Sequence, residues 1–233
     1  MIFQLKEMLD IPAIGADGEL GRVSDVYFDV DRWRVRYLEL EAGEWLEQRR
    51  LVFSTQAFRL HPERREVRLE LSHAQVRQSP ALQLNQPLNR DQEIELHRFY
   101  NWPFYWEGER AGGLGPDSPA AIPLIELAAE VREQMASNGA LADPRLHRLS
   151  SLLGAALQAR DGGAGTLDGL LAEDSSWNIL YLLIQTGGLL SAKTVRLSPQ
   201  FVTTIDEDAG RIDLDLDSET VRHSPEVNPG KTE

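Results

Sequence analysis

The chain has 233 residues, 24 Lys and Arg against 37 Asp and Glu, five His and no Cys, for a formal charge of −13. This length suits one large or two small domains with a real core, and the charged and apolar fractions, 26% and 42%, are those of a folded chain. Without cysteine there is no disulfide, thiolate metal site or cysteine nucleophile, and the acidity opposes direct binding to nucleic acid or anionic lipid.

Met1–Asp10 carries Lys6, Glu7 and Asp10 and has no apolar signal-peptide core. The most apolar run, Ile179–Ile184, is far shorter than the roughly 18 residues of a spanning segment. A cytoplasmic protein without a transmembrane segment is expected.

The chain repeats itself. Sliding it by 144 residues places Asp17-Gly18 on Asp161-Gly162, Gly21 on Gly165, Trp33 on Trp177, Tyr37 on Tyr181 and Gly43 on Gly187. One inserted residue then moves the offset to 145, where Val76-Arg77 meets Val221-Arg222 and Ser79-Pro80 meets Ser224-Pro225. The duplication divides the chain into residues 1–80, a connector 81–147 and residues 148–233, with net charges of −2, −5 and −6.

In the first repeat, the turn at Asp17-Gly18 leads into a strand over Gly21–Val30. Arg32, Trp33, Arg34, Val35, Arg36 and Tyr37 alternate charged and aromatic or aliphatic side chains, as in a half-buried strand. The phase slips at Tyr37-Leu38, which predicts a bulge or bend, and Leu38 and Leu40 then alternate with Glu39 and Glu41. Arg50–Phe53 and Glu66–Leu71 give further strands around the turn at 61–65. Ser72 and Gln75 have capping-box spacing before Val76.

The connector begins with a short helix over Asn89–Tyr100, with Asn89 as its N-cap. Phe99–Trp106 then packs six of the chain's 17 aromatics into eight residues, and Pro103 predicts an extended course there. A Gly- and Pro-rich stretch over 108–119 and a helix from Pro123 to Gly139 follow. The second repeat supplies strands at Thr166–Glu173, Trp177–Gln185, Thr194–Leu197 and Arg211–Leu216. So many short strands predict a mainly β fold of two tandem small β-barrels joined by a connector with short helices.

The run from Ile14 to Ser54, IGADGELGRVSDVYFDVDRWRVRYLELEAGEWLEQRRLVFS, resembles a PRC-barrel domain. The likeness rests on the Asp-Gly turn, Gly21, the strand ending in Asp29, and the Arg36-Tyr37 strand before Gly43. That domain is shared by the cytoplasmic part of the photosynthetic reaction-centre H subunit and by a ribosome maturation factor. The whole chain also resembles bacterial proteins with two such barrels, in which a segment like His97–Trp106 follows the first barrel and an Asp-Pro like Asp143-Pro144 precedes the second. The resemblance implies a scaffold or protein-interaction module, supporting an electron-transfer or membrane complex as the H subunit does. Its alternative is an adaptor in RNA processing or ribosome assembly that docks on a basic ribosomal protein.

The residues themselves offer little chemistry. Asp213, Asp215 and Asp217 alternate with apolar residues, which favours a solvated strand face over a Ca²⁺ or Mg²⁺ site. A metal or small-ligand binder is the third reading. His61, His73, His97, His147 and His223 are scattered and read as surface residues, and no zinc-helix, nucleophile-elbow or phosphate-loop motif occurs. The chain therefore reads as non-enzymatic, with no cofactor and a protein as its partner.

Two candidate interaction surfaces follow. Arg32, Arg34 and Arg36 form a basic stripe expected to pair with neighbouring carboxylates, and the second repeat replaces them with Ser176, Asn178 and Leu180. There Leu180, Leu182 and Ile184 join Ile179, Tyr181 and Leu183 to make a strand apolar on both faces. Such a strand must be covered, by the other barrel, the connector or a second subunit, which leaves a homo-oligomer open. The second surface, Trp102, Phe104, Tyr105 and Trp106, is either packing between barrels or a binding platform.

Overall fold

The computed structural model describes residues 1–80, 82, 88–106, 146–187 and 193–227. The connector helix expected over 123–139 and the Gly- and Pro-rich stretch lie outside them. Residues 1–78 with 144–233 form one compact unit, and residues 79–143 form a second.

The larger unit is mainly β, with two curled sheets. The first contains β2 (Pro12–Gly15), β3 (Gly18–Asp29), β4 (Arg34–Ala42), β5 (Arg50–Ser54), β6 (Phe58–His61) and β7 (Glu66–Leu69), in the order β5-β4-β3-β2-β7-β6. The second contains β9 (Ala156–Ala159), β10 (Gly162–Glu173), β11 (Ile179–Thr186), β12 (Lys193–Leu197), β13 (Val202–Asp206) and β14 (Arg211–Leu214), in the equivalent order. The registers repeat with the sequence: Val26 faces Leu38 as Leu170 faces Leu182, and Phe28 faces Val35 as Ala172 faces Ile179. The expected bulge falls at Arg36, skipped between the pairs Tyr27–Tyr37 and Phe28–Val35, and the second sheet skips Leu180 in the same way. A second register shift falls near Ser24 or Asp168, where the extra residue is on the partner strand.

Gly21 explains why the long strands approach so closely. Its φ is +153°, and an added Cβ would lie 2.1 Å from the Glu41 carbonyl oxygen. Gly165 repeats this against Gln185 at 2.3 Å. Only glycine fits. At the neighbouring Asp-Gly turns, Asp17 accepts the His73 backbone N–H at 2.9 Å, at the start of α1 (His73–Arg77). Asp161 accepts that of Ser218 at 2.7 Å, at the start of α4 (Ser218–Arg222). The predicted Ser72–Gln75 capping box is present.

The first strand of each repeat does not join its own sheet. β1 (Ile2–Gln4) pairs with β10 of the second repeat, and β8 (Leu146–Arg148) pairs with β3 of the first. The registers are equivalent: Ile2 faces Glu173, and Leu146, 144 residues later, faces Asp29. Beyond β8 the chain makes one turn of helix, α3 (Leu149–Leu152), matching the 3-10 turn Leu5–Met8. Leu5, Leu149 and Leu152 are fully or almost fully buried. The sheets thus exchange strands reciprocally, and the apolar core runs through both.

In the smaller unit, α2 (Arg90–Tyr100) starts at an Asn89–Gln92 capping box, as predicted, and ends at Asn101 in the left-handed conformation. No helix among the described residues is long and apolar enough to cross a membrane.

Candidate functional site: a buried polar seam and an aromatic cluster

Where the donated strand β8 meets β3 and β4 lies a polar network. Arg148 Nε donates to Asp25 at 2.9 Å, and its terminal nitrogen donates to Glu39 at 2.9 Å. Asp25 and Glu39 are essentially fully buried. Tyr27, also buried, donates its hydroxyl to Glu39 at 2.7 Å, beneath the Arg148 guanidinium at 5.3 Å from the ring centre. Ser24 donates to the other Glu39 oxygen at 3.0 Å, and the Ser150 backbone N–H donates to Asp25 at 3.1 Å. Burial first, and then the Glu39 carboxylate, push the Tyr27 hydroxyl far above the usual tyrosine range. The network holds paired charges in a site from which water is largely excluded, which fixes the register of the donated strand rather than creating a reactive group.

The second repeat replaces this network by a simpler pairing, Lys6 donating to Asp168 at 2.7 Å in the places of Ser150 and Ser24. Asp25, Tyr27 and Glu39 correspond to Gly169, Leu171 and Leu183. Gln4, in the place of Arg148, lies against Gly169, with a buried Nε2 that lacks a hydrogen-bond partner.

The three arginines do not form the expected stripe. Arg32 precedes β4 in an exposed turn, its backbone N–H donating to Asp29 at 2.7 Å. Arg34 bridges to Asn178, its counterpart in the second repeat. Arg36, the bulged residue, is 5% exposed and pairs with the buried Asp29 carboxylate. The bulge turns Arg36 inward, and strict alternation does not foresee that. In β11, Leu182 and Ile184 are fully buried, while Leu180, at the equivalent bulge, and Tyr181 are half-buried.

The acidic strand is ordinary in its partners. Asp213 pairs with Arg211 at 3.1 Å, Asp215 accepts from Arg160 at 2.8 Å, and Asp217 is the N-cap residue of α4. Among the described residues no group of three or more His, Asp or Glu is placed to hold a metal ion.

Two histidines expected at the surface are buried. His147, on β8, lies 6.0 Å from the Phe28 ring and bonds through Nδ1 to Glu207. Burial pushes the Glu207 carboxyl up, but hydrogen bonds from His147 and Ser151 outweigh it and hold the group below its usual value.

His97, on α2, is 1% exposed and gathers the predicted aromatics. Asn101 reverses the chain, so Trp102–Trp106 folds back along the helix. Trp102 donates its backbone N–H to His97 O at 2.8 Å, and Pro103 O lies 2.9 Å from His97 Nδ1. Phe104 stacks on the imidazole at 5.4 Å, and Trp106 lies 5.3 Å away. Tyr105 donates to Glu93 at 2.9 Å, and Arg90 sits 4.0 Å over the Trp106 ring. Residues 102–104 have no regular secondary structure, and Tyr105 and Trp106 begin a helical turn where the sequence predicts an extended course. Burial lowers the His97 pKa, so the ring at the centre of the cluster is neutral near pH 7. On the outer side, Tyr100 and Trp102 stack at 4.4 Å beside Phe99, which is 42% exposed.

No protein-family model matches the chain, and no curated protein matches it.

Proposed function

We propose that the chain is a non-enzymatic docking scaffold built from two PRC-barrels, each curled sheet closing as one barrel, and that it holds a protein partner through the aromatic cluster on α2. The observation that carries this reading is the exposure of Phe99 beside the stacked Tyr100–Trp102 pair. Among the described residues the only other large apolar side chain exposed to this degree is Met1. Rigid aromatics backed by an arginine are the chemistry of interface hot spots. By analogy with the reaction-centre H subunit, the partner belongs to an electron-transfer or membrane complex, reached from the cytoplasm.

A photo-crosslinking residue at Phe99, compared with one at the exposed Arg59, tests this in the native host. The proposal expects a single discrete adduct from position 99 that Trp102→Ala abolishes. Indistinguishable labelling from both positions contradicts it.

The charge of −13 supports a second reading, an adaptor on a basic ribosomal protein. That reading expects co-sedimentation with ribosomes at low salt and release at moderate salt. Absence of co-sedimentation at low salt contradicts it.

A further inference from the structure

A cleft of about 380 Å³ opens beside the donated strand β1. Phe3, Met8, Ile11 and Leu60 supply apolar lining, and Glu7 and Arg65 line it with opposite charges. Phe3, Met8 and Ile11 are almost fully buried, whereas Glu7 and Arg65 are exposed. Among the described residues neither Glu7 nor Arg65 has an ion-pair partner.

The duplication supplies an internal comparison. Phe3 and Glu7 correspond to His147 and Ser151, and Pro62, another lining residue, corresponds across the one-residue insertion to Glu207. In the second repeat the Glu207 carboxylate bonds to His147, so a polar contact spans the equivalent place. Phe3 and Pro62 have no side-chain groups to make it. Arg65 corresponds to Gly210, and both adopt the left-handed conformation, with φ of +51° and +59°. Glycine takes that conformation without strain, and arginine does not. The first repeat thus keeps a cationic side chain at the cleft where its duplicate has the residue the backbone prefers.

We infer that this cleft binds a zwitterionic small molecule with an apolar body, specifically an α-amino acid with an aliphatic or aromatic side chain. The apolar wall takes the side chain, Arg65 the carboxylate and Glu7 the ammonium group. A plain carboxylic acid would meet Glu7 unfavourably, and a plain amine would meet Arg65. The volume lies in the range of small-molecule sites. This site shares no lining residue with the aromatic cluster, so Arg65→Gly leaves crosslinking from Phe99 intact, and either reading can fail alone.

Calorimetric titration of the full chain with L-leucine and L-phenylalanine tests the inference, with 3-phenylpropionate, 2-phenylethylamine and glycine as probes lacking one of the three features. The amino acids are expected to bind more tightly than any of those probes. Glu7→Gln and Arg65→Gly should each weaken L-phenylalanine binding by about threefold or more, as expected for solvent-exposed charge contacts. Arg65→Gly copies the second repeat and should fold, which a thermal melt verifies. Binding of 3-phenylpropionate as tight as that of L-phenylalanine overturns the inference. So does unchanged affinity in Arg65→Gly, or no heat with either amino acid.

Discussion

Trp33 and Trp177, 144 residues apart, each accept a backbone hydrogen bond from the strand that follows the other. Val35 N–H donates to Trp177 O at 2.9 Å, and Ile179 N–H donates to Trp33 O at 2.6 Å. Both tryptophans adopt the left-handed conformation, and between these bonds Arg34 faces Asn178. With the reciprocal pairing of β1 and β8, these contacts relate the repeats by an approximate two-fold operation. The duplicated chain has the interface logic of a symmetric dimer, in which the same patch is used twice. The symmetry is broken in the side chains: one half of the seam carries the buried Arg148 network, and the other has Gln4 and a half-exposed Lys6–Asp168 pair in its place.

The Asp29–Arg36 pair is the strongest single test of that asymmetry. Arg36→Leu, which copies Leu180, leaves the Asp29 carboxylate buried without its guanidinium and should cost about 3–5 kcal/mol in urea unfolding. Adding Asp29→Ala should restore much of this loss, because the stranded charge is gone.

Removing Arg148 should be comparably damaging. Arg148→Met strands Asp25 and leaves Glu39 only Arg50, at 3.5 Å, as a cationic partner, with an expected loss of about 3–5 kcal/mol. The same network protects Tyr27 from ionising. A tyrosine whose folded pKa is raised contributes stability that is complete below its unfolded pKa of about 10 and is lost as pH rises beyond that. Tyr105, raised chiefly by its own burial, behaves alike. Absorbance at 295 nm should show Tyr27 and Tyr105 ionising only as the protein unfolds in alkali.

Gln4 is the opposite case. Its buried Nε2 has no acceptor, so Gln4→Met should stabilise the chain by about 1 kcal/mol, read as a rise in melting temperature. A fall would show that the amide is satisfied in solution.

Acid stability should depend on three carboxylates. The His73 and Ser218 backbone N–H groups hold Asp17 and Asp161 below the usual range. Glu207 is held low by His147 and Ser151 against the effect of its burial. Groups with depressed folded pKa values stabilise above their unfolded values, near 4, and lose that contribution as pH falls through the folded ones. Carbon-13 carboxyl titrations should place all three below their model-peptide values.

Much of the fold is legible in the sequence because it is local. The 144-residue offset, the Ser72 and Asn89 caps and the long strands follow from repeats, short-range hydrogen bonds and alternation. What escapes depends on the other repeat. Ile2–Gln4 and Leu146–Arg148 are too short to show a period, and their partners lie more than a hundred residues away. Glu39 alternates with Leu38 and Leu40 like a solvent-facing residue, yet Arg148, delivered from the second repeat, covers it. His97 is buried by a chain reversal at Asn101 that the aromatic composition alone does not specify. The aromatics gather on α2, a place the sequence run alone does not give.

The reciprocal exchange is the centre of this account, and the absence of cysteine makes it directly testable. Ile2→Cys with Glu173→Cys should form a disulfide within one chain on mild oxidation, because the two residues are register partners. Ile2→Cys with Asp29→Cys should not, although that pair would be adjacent if each repeat kept its own first strand. Efficient intrachain closure of the first pair alone is the predicted result. Closure of the second pair, with the first left reduced, would contradict the exchange.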